Sequence, residues 1–254
     1  MPRDDDTYPA LERAVVRITT ADGASGTGFF LAPTLVATCA HVASSEAVRL
    51  ELADGRGIAA TTISRYPETG HNGTWTVPDI ALLRTSTKSQ HLAGLASGSD
   101  RIPEDLGLLG YAKGADTEAT LTYERPQLLG LDPLGGARLI KLGSCTILPG
   151  MSGGLLFGLN DGKVYGIVKR TRQKTAGGGG WAIPIGLLDA YFPDQLGPVR
   201  AITVDKSKHR YLRDTIHMVS SIEPRGLPRT RESQDVVLQL DEIYSSLSLV
   251  EYNQ

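Results

Sequence analysis

Short runs of alternating apolar and polar residues fill most of this chain, and turn residues separate them. Ala14-Val15-Val16-Arg17-Ile18-Thr19 predicts a strand, closed by Ala-Asp-Gly-Ala-Ser-Gly. Thr27 to Leu31 and Thr34 to Thr38 predict two more, parted by Ala32-Pro33. Val48 to Leu52, Asp54-Gly55 and Ile58 to Ser64 read as a hairpin, and Asp79 to Leu83 as a further strand. Lys88 to Glu104 is polar, with Gly and Pro, and reads as a linker between two halves. The second half repeats the texture at Leu106 to Tyr111, Ala119 to Tyr123, Gln127 to Leu131, Ala137 to Leu142, Leu155 to Gly158, Lys163 to Lys169 and Gly180 to Pro184. Strands this short at ~8–12-residue spacing predict an all-β barrel or sandwich. A short helix is expected near Leu187 to Tyr191. Gly177 to Gly180 reads as a flexible loop, because no Gly-Lys-Ser/Thr follows to make a phosphate-binding loop.

The pattern changes after about Pro198. Tyr211, Leu212, Ile216 and Val219 recur near helical spacing, so a helix is expected over roughly Asp205 to Ile222, stopped by Glu223-Pro224-Arg225-Gly226. The last stretch ends on Leu247 to Val250, an apolar end that looks cut rather than finished.

Composition narrows the classes. The 254 residues carry 26 Lys+Arg against 28 Asp+Glu, 41% hydrophobic and 21% charged residues, which is a globular balance. A net charge of −2 argues against a general nucleic-acid binder. Gly 29 and Pro 14 with 6% aromatics favour turns and strands over a helix bundle. No apolar run approaches the ~18–20 residues of a membrane span. Nothing apolar follows Met-Pro-Arg-Asp-Asp-Asp, so no secretory signal is expected and the cytoplasm is the expected location. Cys39 and Cys145 are read as reduced, small buried hydrophobes, Cys39 inside a strand. No Cys/His/Asp spacing suggests zinc. Asp4-Asp5-Asp6 lacks a calcium ligand set and reads as a solvated acidic start. No metal or cofactor is expected.

Three local patterns carry chemistry: Thr38-Cys39-Ala40-His41, Asp79-Ile80-Ala81-Leu82-Leu83 and Gly150-Met151-Ser152-Gly153-Gly154. Each alone has an ordinary structural explanation, such as a hydrogen-bonded histidine, a strand-opening Asp or a turn serine. Together, in the order His, Asp, Ser, they resemble the trypsin-like (chymotrypsin-fold) serine peptidases, in particular the bacterial HtrA-type branch, over about residues 10 to 192. In that family the motifs read roughly T-A-A-H, D-I-A-L-L and G-x-S-G-G. The other histidines fit less well: His71 and His91 sit in polar surroundings, and His209 and His217 belong to the tail.

The resemblance implies an all-β fold of two antiparallel Greek-key β-barrels with the site in the cleft between them, to which the spacing after about Pro198 adds a C-terminal helical extension. Barrel 1 would cover about 10–95, barrel 2 about 104–192, the peptidase domain 1–198 and the extension 199–254. It implies that His41 is general base, Asp79 holds its tautomer, and Ser152 is nucleophile. Gly150 and Ser152 would supply oxyanion N–H groups, worth about 3–4 kcal/mol per donor. Thr146, six residues before Ser152, would lie at the base of the primary specificity pocket, so a preference for Lys or Arg is not expected. Lys169, Arg170 and Thr171 match the substrate-pairing strand, with Gly178 to Trp181, including Gly180, as the opposite wall. Lys169 and Arg170 read either as a positive pocket for an acidic side chain or as solvated edge charges. Met151 stands where secreted digestive relatives carry an Asp that pairs with a freed N-terminus. Activation by N-terminal cleavage is therefore not implied.

The tail, Gly226-Leu227-Pro228-Arg229 with Val237 to Tyr244 and Leu247-Ser248-Leu249, resembles the segment leading into the nucleotide-binding domain of bacterial NACHT-type STAND NTPases. That resemblance implies an effector part of a longer sensor acting in anti-phage defence. The alternative is an ordinary C-terminal extension. The function expected is hydrolysis of a cellular protein or peptide, with a downstream NTPase or sensor domain as possible partner and neither nucleic acid nor membrane bound. The competing class is a catalytically silent peptidase-fold binding or scaffold module.

Overall fold

The structure, a computed structural model, describes residues 4–21, 23–70, 75–98, 100–113, 118–169 and 178–197, with side chains described from residue 9 onward. The chain opens with helix α1 (Asp4–Ala14), where the sequence had suggested only a solvated acidic start. Leu11 and Ala14 explain it, since both are buried against the first barrel and lie about one helical turn apart.

Six strands follow: β1 (Val15–Thr20), β2 (Ser25–Ala32), β3 (Leu35–Thr38), β4 (Ala47–Glu51), β5 (Gly57–Tyr66) and β6 (Ile80–Thr85). They close into an antiparallel barrel in the order β1-β2-β3-β6-β5-β4, with β4 returning to β1. The β3-to-β4 connection skips across the end of the barrel, as a Greek key requires. Closure removes every sheet edge in this half. Ile18, Phe30, Leu50 and Leu83 lie on one face of its wall and Phe29, Ile80 and Leu82 on the other; all are fully buried, each burial favouring the fold by about 1.5–3 kcal/mol.

The second half holds β7 (Leu106–Ala112), β8 (Thr120–Glu124), β9 (Gln127–Leu134), β10 (Ala137–Gly143), β11 (Leu155–Gly158), β12 (Val164–Lys169) and β13 (Gly180–Pro184), then α2 (Gly186–Tyr191). Its order is β8-β7-β11-β12-β13-β10-β9, all antiparallel. This is the winding of the first half with its second strand divided into two, β8 and β9, at Arg125-Pro126. β8 and β9 do not ladder to each other. A single bridge, Asp105 to Gln127, draws the two ends together. The second barrel is thus a strongly curled seven-stranded sheet. Strand β9 is longer than expected and leaves Leu129 and Leu131 half exposed.

The segment 88–104 is not the loose polar linker its composition suggested. Ala93 N donates to Phe30 O in β2, and Ala96 N donates to Val164 O in β12. Ala93, Leu95 and Ala96 are buried, and one apolar cluster runs through both halves, from Val16 and Phe29 to Leu155 and Phe157. The second half adds a smaller cluster around Leu108, Ile140, Met151 and Val168. Among the described residues no helix is long and apolar enough to cross a membrane. The helix expected over Asp205 to Ile222, and the whole of 199–254, lie outside the described residues.

Candidate active site

His41 follows β3 by three residues and Asp79 immediately precedes β6. These strands are neighbours, with Thr38 paired to Ala81, so the two strand ends meet. Asp79 is 1% exposed. A carboxylate taken so far from water must be fully hydrogen-bonded to stay charged. His41 N donates to Oδ1 at 2.9 Å, His41 Nδ1 lies 2.6 Å from Oδ2, and Lys169 Nζ donates to Oδ2 at 2.8 Å. Burial alone pushes the Asp79 carboxyl up. The hydrogen bond and charge of His41, with the charge and hydrogen bond of Lys169, outweigh it and hold Asp79 below the ordinary carboxylate range. With Nδ1 held on the carboxylate, the other ring nitrogen, Nε2, is left to exchange a proton.

Ser152 sits in the turn before β11 and is buried to 5% exposure. First-half residues clamp this turn. Thr27 N donates to Ser152 O at 2.8 Å, and Thr27 Oγ1 donates to Gly150 O at 2.8 Å while accepting from Tyr111 N. Thr38 Oγ1 in turn donates to Thr27 O at 2.6 Å. Gly153 N donates to Val168 O, the carbonyl that also accepts the Cys39 thiol, two residues before His41. The chain therefore brings the Ser152 turn, the His41 segment and the end of β12 to one seam.

Two glycines make this packing possible. Gly153 has φ +87°, and a Cβ there would run into Thr27 O and Thr38 Oγ1. Gly150 has φ +91°, and its Cβ would come 2.6 Å from Tyr111 O. The neighbouring carbonyls set the amide directions. Pro149 O accepts Lys113 N and Met151 O accepts Gly154 N. Both peptides are trans, so the N–H groups of Gly150 and Ser152 point opposite to those anchored carbonyls.

The remaining expected residues divide. Thr146 is partly buried and Gly180 opens β13, paired with Leu142. Arg170 and Thr171, with Gly177 and His71, lie outside the described residues. Met151 is fully buried, its sulfur accepting from Leu148 N at 3.2 Å. Cys39 lies just past β3 rather than within it. Burial, and then the Asp79 charge, push its thiol well up, so it stays protonated. Cys39, His41 and Asp79 have ligand atoms within 4.8 Å of one another, but the Lys169 ammonium already occupies the cation's place on Asp79.

Both sequence readings of Lys169 need correction. Its side chain is 14% exposed and its ammonium is committed to Asp79 and, at 3.4 Å, to Trp75 O. It is neither a solvated edge charge nor free to receive an acidic substrate. Thr27 went unnoticed in the sequence. Its signal was a hydroxyl residue between two glycines, Gly26 and Gly28, at the start of an apolar strand.

Residues 26–167, more than half of the chain, match the family described as the trypsin-like peptidase domain. Several solved structures share the fold. The HtrA-type protease AlgW with tripeptide superposes with a TM-score of 0.59 and 23% identity, over 73% of this chain and 61% of that one. The Rv3671c protease from M. tuberculosis, active form, gives 0.57 and 24% over 75% of this chain and 84% of that one. A serine endoprotease from Yersinia pestis gives 0.57 and 19% over 75% and 65%. This chain thus spans less than two thirds of the AlgW and Yersinia chains. No curated protein sequence matches it.

Replacing Thr27 by Val removes the hydroxyl and leaves Gly150 O and Tyr111 N without their partner. Two such losses cost about 2–4 kcal/mol. Urea unfolding should show that loss, and the Ser152 turn should lose amide-exchange protection. Asp79 supplies the pH dependence. A carboxyl held below its unfolded value contributes stability above the ordinary Asp range of about 3.9, and this stability is lost as pH falls through the depressed folded value. Melting temperature should therefore drop steeply below about pH 4, and less steeply in Asp79→Asn.

Proposed function

This chain belongs to the trypsin-like peptidase domain family, and we propose that it is an active serine endopeptidase using His41, Asp79 and Ser152. The observation that carries this reading is the His41–Asp79 contact of 2.6 Å, set across a clamped Gly150–Gly154 turn. A serine hydroxyl is a weak nucleophile at its own pKa, and a positioned imidazole removes that limit. Ser152 Oγ attacks the scissile carbonyl as His41 takes its proton. His41 passes that proton to the leaving amine, and a water molecule, activated by the same ring, releases the acyl group and restores Ser152. Asp79 keeps His41 in the required tautomer. The Gly150 and Ser152 amides, with their peptide planes fixed from the other side, serve the oxyanion.

The substrate is a protein or peptide lying along β12 and β13, with Thr146 at the base of an uncharged pocket. Small or aliphatic side chains fit such a base better than Lys or Arg, because a buried cation without a counter-ion costs several kcal/mol. Lys169 is spent on Asp79, so an acidic side chain gains nothing from it. The buried Met151 offers no carboxylate to a freed N-terminus. Activity therefore needs no proteolytic processing, calcium or disulfide.

We also read the chain as the effector part of a STAND-type sensor, working in the bacterial cytoplasm against phage. The support is the phrase at Gly226 to Leu249 alone. The tail would carry the sensor's signal to the peptidase.

Two measurements test these readings. Ser152→Ala should abolish fluorophosphonate labelling and lower cleavage by about a million-fold, with an unchanged melt. Absence of labelling in the unsubstituted protein would favour the silent binding module. For the tail, truncation at about residue 198 should change labelling rate in the presence of a supplied downstream domain. Equal rates with and without the tail would reduce it to a linker.

A further inference from the structure

Strand β12 ends at Lys169, paired with Trp181 on β13. Neighbouring residues on a strand face opposite ways. Val168 is buried in the core cluster of the second half, so Lys169 turns to the other face, toward Asp79 and the first barrel. Its ammonium donates to Asp79 Oδ2, the same oxygen that lies 2.6 Å from His41 Nδ1. A second hydrogen bond, to Trp75 O, ties the ammonium down from the segment before β6. Among the described residues, the charged groups acting on Asp79 are His41 and Lys169. Cys39, the other titratable group at this point, stays a neutral thiol directed at Val168 O.

We propose that Lys169 is a positioning residue that sets the acid limit of the site, by placing a permanent positive charge on the Asp79 oxygen that holds the His41 ring. The proposal rests on the peptidase reading for its rate consequences, but its electrostatic core does not need turnover. An Asp–His pair alone carries a charge of −1 at rest and becomes neutral when the ring accepts a proton. With Lys169 attached, the group is neutral at rest and becomes +1. The two nitrogens share one acceptor and so stand within the ~4–6 Å at which like charges disfavour one another. A second positive charge on the ring is therefore opposed across the shared Asp79 oxygen. Lys169 also fills a lone pair of a buried carboxylate, which keeps Asp79 charged and fixed without water.

This arrangement predicts a broad acid shoulder of activity and an unusual response to substitution. Removing a hydrogen-bond partner of a catalytic Asp would ordinarily only weaken the site. Here it should also move the pH profile. Lys169→Met removes the charge and preserves most of the volume. Lys169→Arg retains the charge. Lys169→Ser retains a donor without the charge and replaces the Met variant if that one does not fold.

The experiment has two readouts. The first is the second-order rate of fluorophosphonate labelling of Ser152 from pH 4 to 9. The second is the pH titration of the His41 ring carbon and nitrogen shifts by NMR, which needs no activity. In Lys169→Met, or in Lys169→Ser, the acid limb and the ring titration should both move to higher pH by about 1–2 units. In Lys169→Arg both should stay near those of the native protein. An unmoved ring titration in a folded, charge-free variant overturns the proposal. So does an Arg variant that shifts as far as the Met variant. If the native protein fails to label, the peptidase reading falls, while the ring titration still decides the role of Lys169.

Discussion

A carboxylate that is 1% exposed survives as a charge only when donors surround it, and Asp79 draws its donors from both halves of the molecule. His41 comes from the end of β3 and Lys169 from the end of β12. Neither half alone can satisfy Asp79. The constraint works in both directions: the buried charge pins the two sheets in register, and the register delivers an imidazole with one nitrogen held and the other left for chemistry. Leaving such a charge unpaired costs several kcal/mol, a large share of what a domain of this size has to spare.

Thr27 does for the Ser152 turn what Asp79 does for the His41 ring. Its backbone N–H and its hydroxyl both donate to carbonyls of the 150–152 segment, and Thr38 holds its own carbonyl. The two bonds from Thr27 join residues more than a hundred positions apart. They explain the small residues around Ser152. The turn is pressed so tightly against β2 that a Cβ at Gly153 would enter Thr27 O. A flexible turn would place the serine loosely, and the proposed reaction asks for about half an ångström.

The apolar core supplies the rigidity behind these contacts. One cluster runs from Val16 and Phe29 in the first half to Leu155 and Phe157 in the second, and segment 88–104 stitches across both through Ala93 and Ala96. The halves therefore behave as one packed body around a polar seam. The half-exposed leucines of β9 lie on the sheet's far edge, away from this seam in strand order.

Much of the architecture was legible in the chain, because strand periodicity and turn chemistry are local. All thirteen strands fall on runs of apolar or alternating residues, and the short α2 helix lies where it was expected. His41, Asp79 and Ser152 were legible as candidates for the same reason: each sits in a short phrase whose neighbours constrain the backbone. What the sequence could not reveal depended on long-range partners. Helix α1 forms because Leu11 and Ala14 find a barrel to cover, and 88–104 is bound because Phe30 and Val164 offer carbonyls to it. The break between β8 and β9 at Arg125-Pro126 depends on which neighbour each stretch ladders to, β7 or β10, which no single strand encodes. Lys169 is the clearest case. A lysine at the end of an apolar strand looks the same whether its ammonium meets water, a substrate or a buried carboxylate 90 positions away. Only the tertiary fold decided that it meets Asp79, because only the fold sets which face of β12 turns toward β6.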